Sequence, residues 1–259
     1  MTRRLGLVLL SLALTATAVP ATSSGAVAAA AEPTVVGKRV IGHSVQGRPI
    51  VAYRLGKRGK KVPTVVLIST MHGNEPATRQ ILQELVDGEP VRDLDLWVVP
   101  TYNPDGLAAG TRKSARGVDL NRNYPYRWAD LDGNYESGRG PASEPETKAM
   151  MGFLRTVRPD HVLSFHQPLD GVDTDTKNAG FARRVAKVLG LPAKTFDCGG
   201  VCHGTMTGWY NDRFRGDALT VEYGARPSRR SMRKVAPERV LRVFRAWRGY
   251  RTVEESPNR

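Results

Sequence analysis

This 259-residue chain is short of cysteine, of acid and of long apolar runs. It has two cysteines, Cys198 and Cys202 in "DCGGVCHG", too few for a scaffold held together by disulfides. A zinc site built from this pair and His203 would need further ligands. An even count in an exported chain predicts instead a Cys198–Cys202 disulfide closing a tight glycine-rich loop. Only one apolar run stands out, Leu5 to about Val19, preceded by Arg3 and Arg4 and followed by alanine-rich A-x-A patterns. That layout predicts a secretory signal over residues 1–31, too short and wrongly flanked for a membrane anchor. No other segment approaches spanning length, so the expectation is a soluble, secreted protein with one domain over residues 32–259. Internal repeats and low-complexity linkers are absent, which argues against a solenoid. Acid is outnumbered, 25 Asp and Glu against 39 Lys and Arg, for a net charge of +14. The excess gathers in "GKRGKK" (Gly56–Lys61) and "RPSRRSMRK" (Arg226–Lys234), which read as solvated surface with attraction for an anionic cell envelope. No helix or aromatic arrangement of a nucleic-acid-binding module accompanies that charge, so nucleic acid is not expected as a partner, and a monomer is.

What is present alternates between two periods. "RPIVAYRLG", "TVVLIST", "DLDLWVVP", "HVLSFHQ" and "ALTVEYG" are short, apolar and rich in β-branched residues, as buried strands are. "EPATRQILQELVDG" reads as a helix from Glu75, with Ile81, Leu82 and Leu85 on one face. "NPDG" (Asn103–Gly106) reads as a turn. In "SEPETKAMMGFLRTV", Ser143 and Glu146 have the spacing of a capping box. "APERVLRVFRAWRGY" predicts a last helix burying Val240, Leu241, Phe244 and Trp247. Strand–helix alternation predicts an α/β sheet covered on both faces, with functional residues where strands end in loops.

Five histidines are few enough to weigh one by one. His72 and Glu75, in "STMHGNEPAT", sit at a strand-to-helix junction that can aim both side chains at one point. A His-x-x-Glu pair arises by chance too readily to stand alone. Zinc takes imidazole and carboxylate together, and a catalytic site uses three protein ligands and an open position. His166, polar inside the apolar run "VLSFH", is the best candidate for the third; His43, His161 and His203 read as surface or hydrogen-bonding residues. Glu222 is a lone carboxylate in the otherwise apolar "LTVEYG", costly to bury unless it sits near a cation, where it would serve as a general base.

Four blocks then carry a resemblance: "GHSVQGRPI" (Gly42–Ile50), "HGNE" (His72–Glu75), "NPDG…TRKSARGVDLNRNYP" (Asn103–Pro125) and "SFHQ…TVEYG" (Ser164–Gly224). The chain resembles the zinc carboxypeptidases of the funnelin (M14) type, whose fold is a mixed central β-sheet with helices on both faces. The resemblance implies one zinc per chain, held by His72, Glu75 and His166, with Glu222 as catalytic base. It implies Arg112, with Arg116 as the alternative, as the arginine that stabilises an oxyanion. Asn121 and Arg122 match the pair that holds a substrate's terminal carboxylate, and Asp119 the aspartate that orients a ligand histidine.

The blocks also depart from the digestive members, which carry an arginine between the first two ligands where this chain has Asn74. The stretch that would supply their mobile tyrosine is "CGGVCHGTMTGWYND", where His203 or Tyr210 is available; Thr207, Asp212 and Asp217 lie in the region of the specificity pocket. "RGVDLNRNYP" and "ASEPET" look closer to bacterial murein peptide amidases, which cut the γ-D-glutamyl–diaminopimelate bond. The implied partner is therefore a peptide with a free carboxylate, a murein peptide ahead of the C-terminus of ordinary peptides. An aspartoacylase-like deacylase and a non-enzymatic basic wall-binding module are the remaining readings; the "GVDLNRNYP" block and the ligand set count against each.

Overall fold

The computed structural model describes residues 33–249 except 58, 60, 61 and 198. The signal-like segment 1–31 and Cys198 therefore lie outside the described residues. The order is β1 (Val35–His43), β2 (Pro49–Gly56), β3 (Thr64–Ser69), α1 (Arg79–Asp87), β4 (Val91–Arg92), β5 (Asp95–Val99), α2 (Pro104–Ala109), α3 (Pro145–Val157), β6 (His161–His166), β7 (Leu169–Asp173), α4 (Ala179–Leu189), β8 (Ala193–Lys194), α5 (Met206–Arg213), β9 (Asp217–Gly224), α6 (Ala236–Val243) and β10 (Trp247–Arg248).

Eight strands form one mixed sheet in the order β1-β2-β5-β3-β6-β9-β7-β8. Its centre, β5-β3-β6-β9, is parallel; β1 and β2 run antiparallel on one side, and β7 is antiparallel to β9 on the other. Because side chains alternate along a strand, β3 sends Val65 and Leu67 to one face and Val66 and Ile68 to the other, all fully buried. The first pair packs with Ile81, Leu82 and Leu85 of α1, Val185 of α4 and Val240 and Leu241 of α6. The second packs with Met150 and Leu154 of α3 and with Trp209 of α5. Both faces are thus covered, and that is why the central strands read as unbroken apolar runs.

Three local expectations meet a different outcome. The helix expected from Glu75 starts at Arg79, because the preceding residues are used to aim side chains at the site. "NPDG" opens α2: Asn103 caps it by accepting from Gly106 N, with Pro104 in the first turn. The capping box does not form. Ser143 Oγ donates to Glu144 Oε1, and Glu146, fully buried, accepts from Val45 N across the fold, a stronger demand than a helix end exposed to water. At the C-terminus Arg245 takes a positive φ, α6 has already ended, and Trp247 is 37% exposed in β10, donating its indole N–H to Asp93. Its expected inward orientation is therefore not what the chain adopts.

Leu67→Ala, in the middle of the central strand, is expected to cost about 2–5 kcal/mol. Chemical denaturation of the metal-free protein would show it as a lowered midpoint with an unchanged slope.

Candidate metal centre

The parallel strands β3, β6 and β9 end side by side, and the candidate residues collect at those carboxyl ends. β3 finishes at Ser69, and the chain turns sharply at Thr70, whose φ of 56° is unusual for a β-branched residue. Two hydrogen bonds hold the turn: Thr70 Oγ1 donates to Pro100 O (3.1 Å), and Asn103 N donates to Thr70 O (2.9 Å). Gly73 lies between the two expected ligands and runs against α2, where a Cβ would come 1.9 Å from the Gly106 carbonyl carbon. Only glycine fits there. On β6, His166 is the last strand residue and pairs in register with Glu222 of β9.

His72 Nδ1 lies 2.7 Å from Glu75 Oε1, His166 Nδ1 lies 3.0 Å from Glu75 Oε2, and the two Nδ1 atoms are 3.2 Å apart. All three residues are buried. Two imidazole nitrogens this close cannot both carry protons toward each other, and each faces a carboxylate oxygen of Glu75, so three electron-pair donors converge on one point. A tetrahedral ion with bonds of about 2.0–2.1 Å spaces its ligand atoms by about 3.3 Å. The donor set and its spacing therefore fit zinc. The far nitrogens are held from behind: His72 Nε2 sits 3.0 Å from Asp119 Oδ1, and His166 Nε2 2.8 Å from Ser164 Oγ. Asp119 only accepts, so the His72 N–H belongs on Nε2, and with zinc bound the lone pair on Nδ1 faces the ion; the Ser164 hydroxyl can accept from His166 Nε2 in the same way.

Asp119 is fully buried and does more than orient His72. Its Oδ2 accepts from Arg112 Nε (3.0 Å) and Nη2 (2.8 Å), and its Oδ1 also accepts from Asn121 N (2.9 Å). Burial would raise its carboxyl, but His72, Arg112 and Arg122 together hold it well below the usual carboxylate range. Arg112 Nη1 is left pointing at the cluster, 3.3 Å from His72 Nδ1 and 3.6 Å from Glu75 Oε1. Arg116, the alternative, is half exposed beside Glu144 at 3.9 Å and stands away from the cluster.

Burial disfavours a charged His72, yet Asp119 and Glu75 overcome it and push its pKa up to about 9 when no metal is bound. Burial likewise works against ionised Glu75, and the two histidines outweigh it, holding that carboxyl down at about 2. Glu222, 8% exposed, behaves differently. Burial pushes it up, the Glu75 charge adds to the push, and His166 and a hydrogen bond from Leu169 N (3.3 Å) only partly offset it.

These residues line one cleft of about 610 Å³, together with Asn121, Arg122, Tyr126, Tyr135, Asp173 and Thr207. Arg122 is 6% exposed; Nη1 donates to Asn121 O, while its buried Nε has no partner among the described residues. Asn121 Oδ1 accepts from Met206 N (3.0 Å), which leaves its Nδ2 donors for the cleft. The Tyr135 ring lies against both guanidiniums, 5.0 Å from Arg122 and 5.7 Å from Arg112. Neither residue considered for a mobile cover lines this cleft. Tyr210 is buried with its hydroxyl on Pro159 O, and His203 sits in an adjoining depression, bonded to Arg127 O. Of the specificity candidates, Thr207 and Asp212 line the cleft, whereas Asp217 lies at the far end of β9 beside His161 and Asn178. Asn74 is exposed and is not part of the cleft wall, so it does not select substrate by contact there. Ser164 and Tyr135 were not singled out from sequence. The period of two in "SFH" puts Ser164 and His166 on one face and could have revealed the first; nothing local marks the second.

Three His and Glu donors at zinc spacing, ending parallel strands beside a buried glutamate and two arginines, define a zinc hydrolase of the carboxypeptidase class. The zinc carboxypeptidase (M14 peptidase) family profile matches residues 26–168, and the chain belongs to that family: it is a zinc-dependent metallopeptidase. Glu222 lies beyond the matched span and joins the site only through its register with His166. Murein peptide amidase A of Escherichia coli (strain K12) is 29% identical over 173 residues, 61% of this chain and 70% of that protein. The murein peptide amidase A of Vibrio campbellii is 30% identical over 190 residues, 66% of this chain and 73% of that protein. The crystal structure of murein-tripeptide amidase MpaA from Escherichia coli O157 superposes with a TM-score of 0.70 at 26% identity, covering 85% of this chain and 94% of that one. Carboxypeptidase A from Helicoverpa armigera, 19% identical with a TM-score of 0.67 over 82% of this chain and 68% of that one, shares the fold.

Two outcomes follow from this geometry. Asp119→Asn is expected to weaken zinc binding about 10- to 100-fold in chelator competition while the fold is retained by circular dichroism. Because His72 holds a proton below about pH 9 in the metal-free protein, zinc must displace it. Apparent zinc affinity is therefore expected to rise about tenfold per pH unit between pH 6 and 8 and to flatten above 9.

Proposed function

We propose that this protein is a secreted murein peptide amidase, hydrolysing an amide bond next to a free carboxylate in cell-wall peptides and releasing diaminopimelate. The observation that carries the reading is Arg122, a buried guanidinium with an unpaired Nε in the wall of the cleft that holds the metal ligands. The Asp119 charge partly offsets that of Arg122, but a buried N–H without an acceptor is costly, and guanidinium receives carboxylate by two parallel hydrogen bonds. Asn121, its neighbour in the 3₁₀ turn Leu120–Arg122, adds amide donors. The two murein peptide amidases among the relatives and the 0.70 TM-score to a murein-tripeptide amidase support the wall peptide as substrate.

Bound zinc supplies a Lewis acid that polarises a carbonyl and acidifies water. The residues of the chain do the rest. Glu222, with its carboxyl raised by burial, takes a proton from water and later delivers one to the leaving amine. Arg112 Nη1, fixed by Asp119, donates to the oxygen on which negative charge develops, and so acts mainly on the transition state. Arg122 and Asn121 hold the leaving residue's carboxylate, which sets that residue's amide against Glu222. The Tyr135 ring lies against both guanidiniums, and its π face offsets part of their mutual repulsion.

The same reading covers location. The Arg-led apolar stretch and alanine-rich end of residues 1–31 direct export, the charge of +12 that remains of the +14 without Arg3 and Arg4 favours an anionic envelope, and Cys198 and Cys202 pair in that oxidising setting. Cys202 lines the cleft wall.

Mass spectrometry after incubation with the wall tripeptide and with ordinary peptides tests the substrate. Release of diaminopimelate is the expected result; trimming of the ordinary peptides alone would reverse it to a general carboxypeptidase. Glu222→Gln is expected to keep one zinc per chain and to lose about 10²- to 10⁴-fold in kcat. Undiminished turnover in that variant would remove Glu222 as the base.

A further inference from the structure

The cleft continues past the metal ligands along β9. Side chains alternate across this strand, so Ala218, Thr220 and Glu222 share the cleft face while Leu219 and Val221 enter the core beneath. Thr220 lies two residues from Glu222, about 6.8 Å along the strand. β7 is antiparallel to β9 with Gly171 opposite Glu222 and Val172 opposite Val221. One step further in that register brings Asp173 opposite Thr220, and Asp173 lines the cleft. Its carboxylate is oriented by backbone N–H groups: Asp175 N donates to Oδ1 at 3.0 Å, and Phe196 N also donates to it.

No cation pairs with Asp173 among the described residues, although several stand near. Lys177 is committed to three carbonyls, those of Phe214, Arg215 and Gly216, at 2.6, 3.0 and 3.3 Å. Lys194, its partner across β7 and β8, sends its ammonium over the Phe196 ring instead, at 5.8 Å. Arg127 stacks over Tyr126 at 5.5 Å. Burial without a cation pushes the Asp173 carboxyl up. The cleft therefore holds two incomplete charges of opposite sign: the buried Arg122 Nε near the metal ligands and the Asp173 carboxylate one strand step beyond Glu222.

We infer that Asp173 is the specificity-determining residue of this cleft, receiving a protonated amino group at the end of the leaving residue's side chain while Arg122 holds that residue's carboxylate. The inference deepens the amide hydrolysis proposed above and rests on it. The inference calls for a leaving residue that carries an amino group at the far end of a long side chain, as lysine does; the far end of diaminopimelate bears an amino group together with a carboxylate. A leaving residue with an apolar side chain of equal length would strip water from Asp173 and return nothing.

The test compares acyl-γ-D-glutamyl substrates ending in diaminopimelate, lysine or norleucine, with zinc-loaded protein. Wild type is expected to favour both amine-bearing substrates over norleucine by about 10²-fold or more in kcat/KM. Asp173→Asn is expected to bring those ratios to within about threefold of one, and Asp173→Glu to restore much of them. Comparable wild-type turnover of norleucine and lysine would overturn the inference while leaving the hydrolase reading intact. Turnover of none of the three would instead sink the amide-hydrolase reading itself. An equal loss on all three substrates in Asp173→Asn would overturn the inference by assigning the residue a structural role. If Asp173→Asn does not fold, the wild-type ratio decides alone. Diaminopimelate strongly preferred over lysine marks a wall peptide as the source of the amine, and equal preference marks peptides with basic ends.

Discussion

Asp119 and its hydrogen bonds are what the rest of the site depends on. One carboxylate without access to water fixes the His72 ring through Nε2, the Arg112 guanidinium through Nε and Nη2, and the turn that carries Asn121 and Arg122 through a backbone N–H. A buried anion is tolerated only when its lone pairs are used, and here four N–H groups use them. His72, the Arg112 guanidinium and the Asn121–Arg122 turn thus stand in one rigid relation, set by a single side chain.

Electrostatics and strain are balanced around that hub. Glu75, Asp119 and Glu222 lie buried beside the buried Arg122 and the partly exposed Arg112, and without metal the surrounding negative charge favours a protonated His72. The positive φ of Thr70 and the contact of Gly73 with α2 show how tightly the ligand loop is drawn in. Such backbone is kept only where surrounding bonds over-determine it, as the Pro100 and Asn103 bonds do here. The strain is local, while the broad two-faced core absorbs its cost.

The candidate metal ligands collect at the carboxyl ends of the parallel strands, in a fold shared with a murein-tripeptide amidase and with a carboxypeptidase A. Other parts of the cleft wall are built by β7 and by the turn that carries Tyr135. Asn74, the departure most visible in the sequence, is exposed and outside the cleft. A difference beside a ligand in sequence can be remote from the substrate, because in a turn this tight neighbouring side chains diverge.

The amino-acid sequence by itself determined the α/β class, the central strands and the His72, Glu75, His166 and Glu222 set. The class and the strands rest on apolar runs buried on both faces, and His166 and Glu222 stand out as polar residues that such runs do not otherwise admit; His72 and Glu75 became specific only through the resemblance of four blocks to the zinc carboxypeptidases. It did not determine the ends of α1 and α6, the rejected capping box, or the outward turn of Trp247. Those depend on Glu146 reaching Val45 and on β10 pairing with β4, contacts between residues far apart in the chain. Only the tertiary structure brought Arg112 rather than Arg116 to the cluster, laid Tyr135 on the arginines and set Asp173 opposite Thr220. Register between strands brings such residues together, and register is a property of the packed sheet rather than of any one segment.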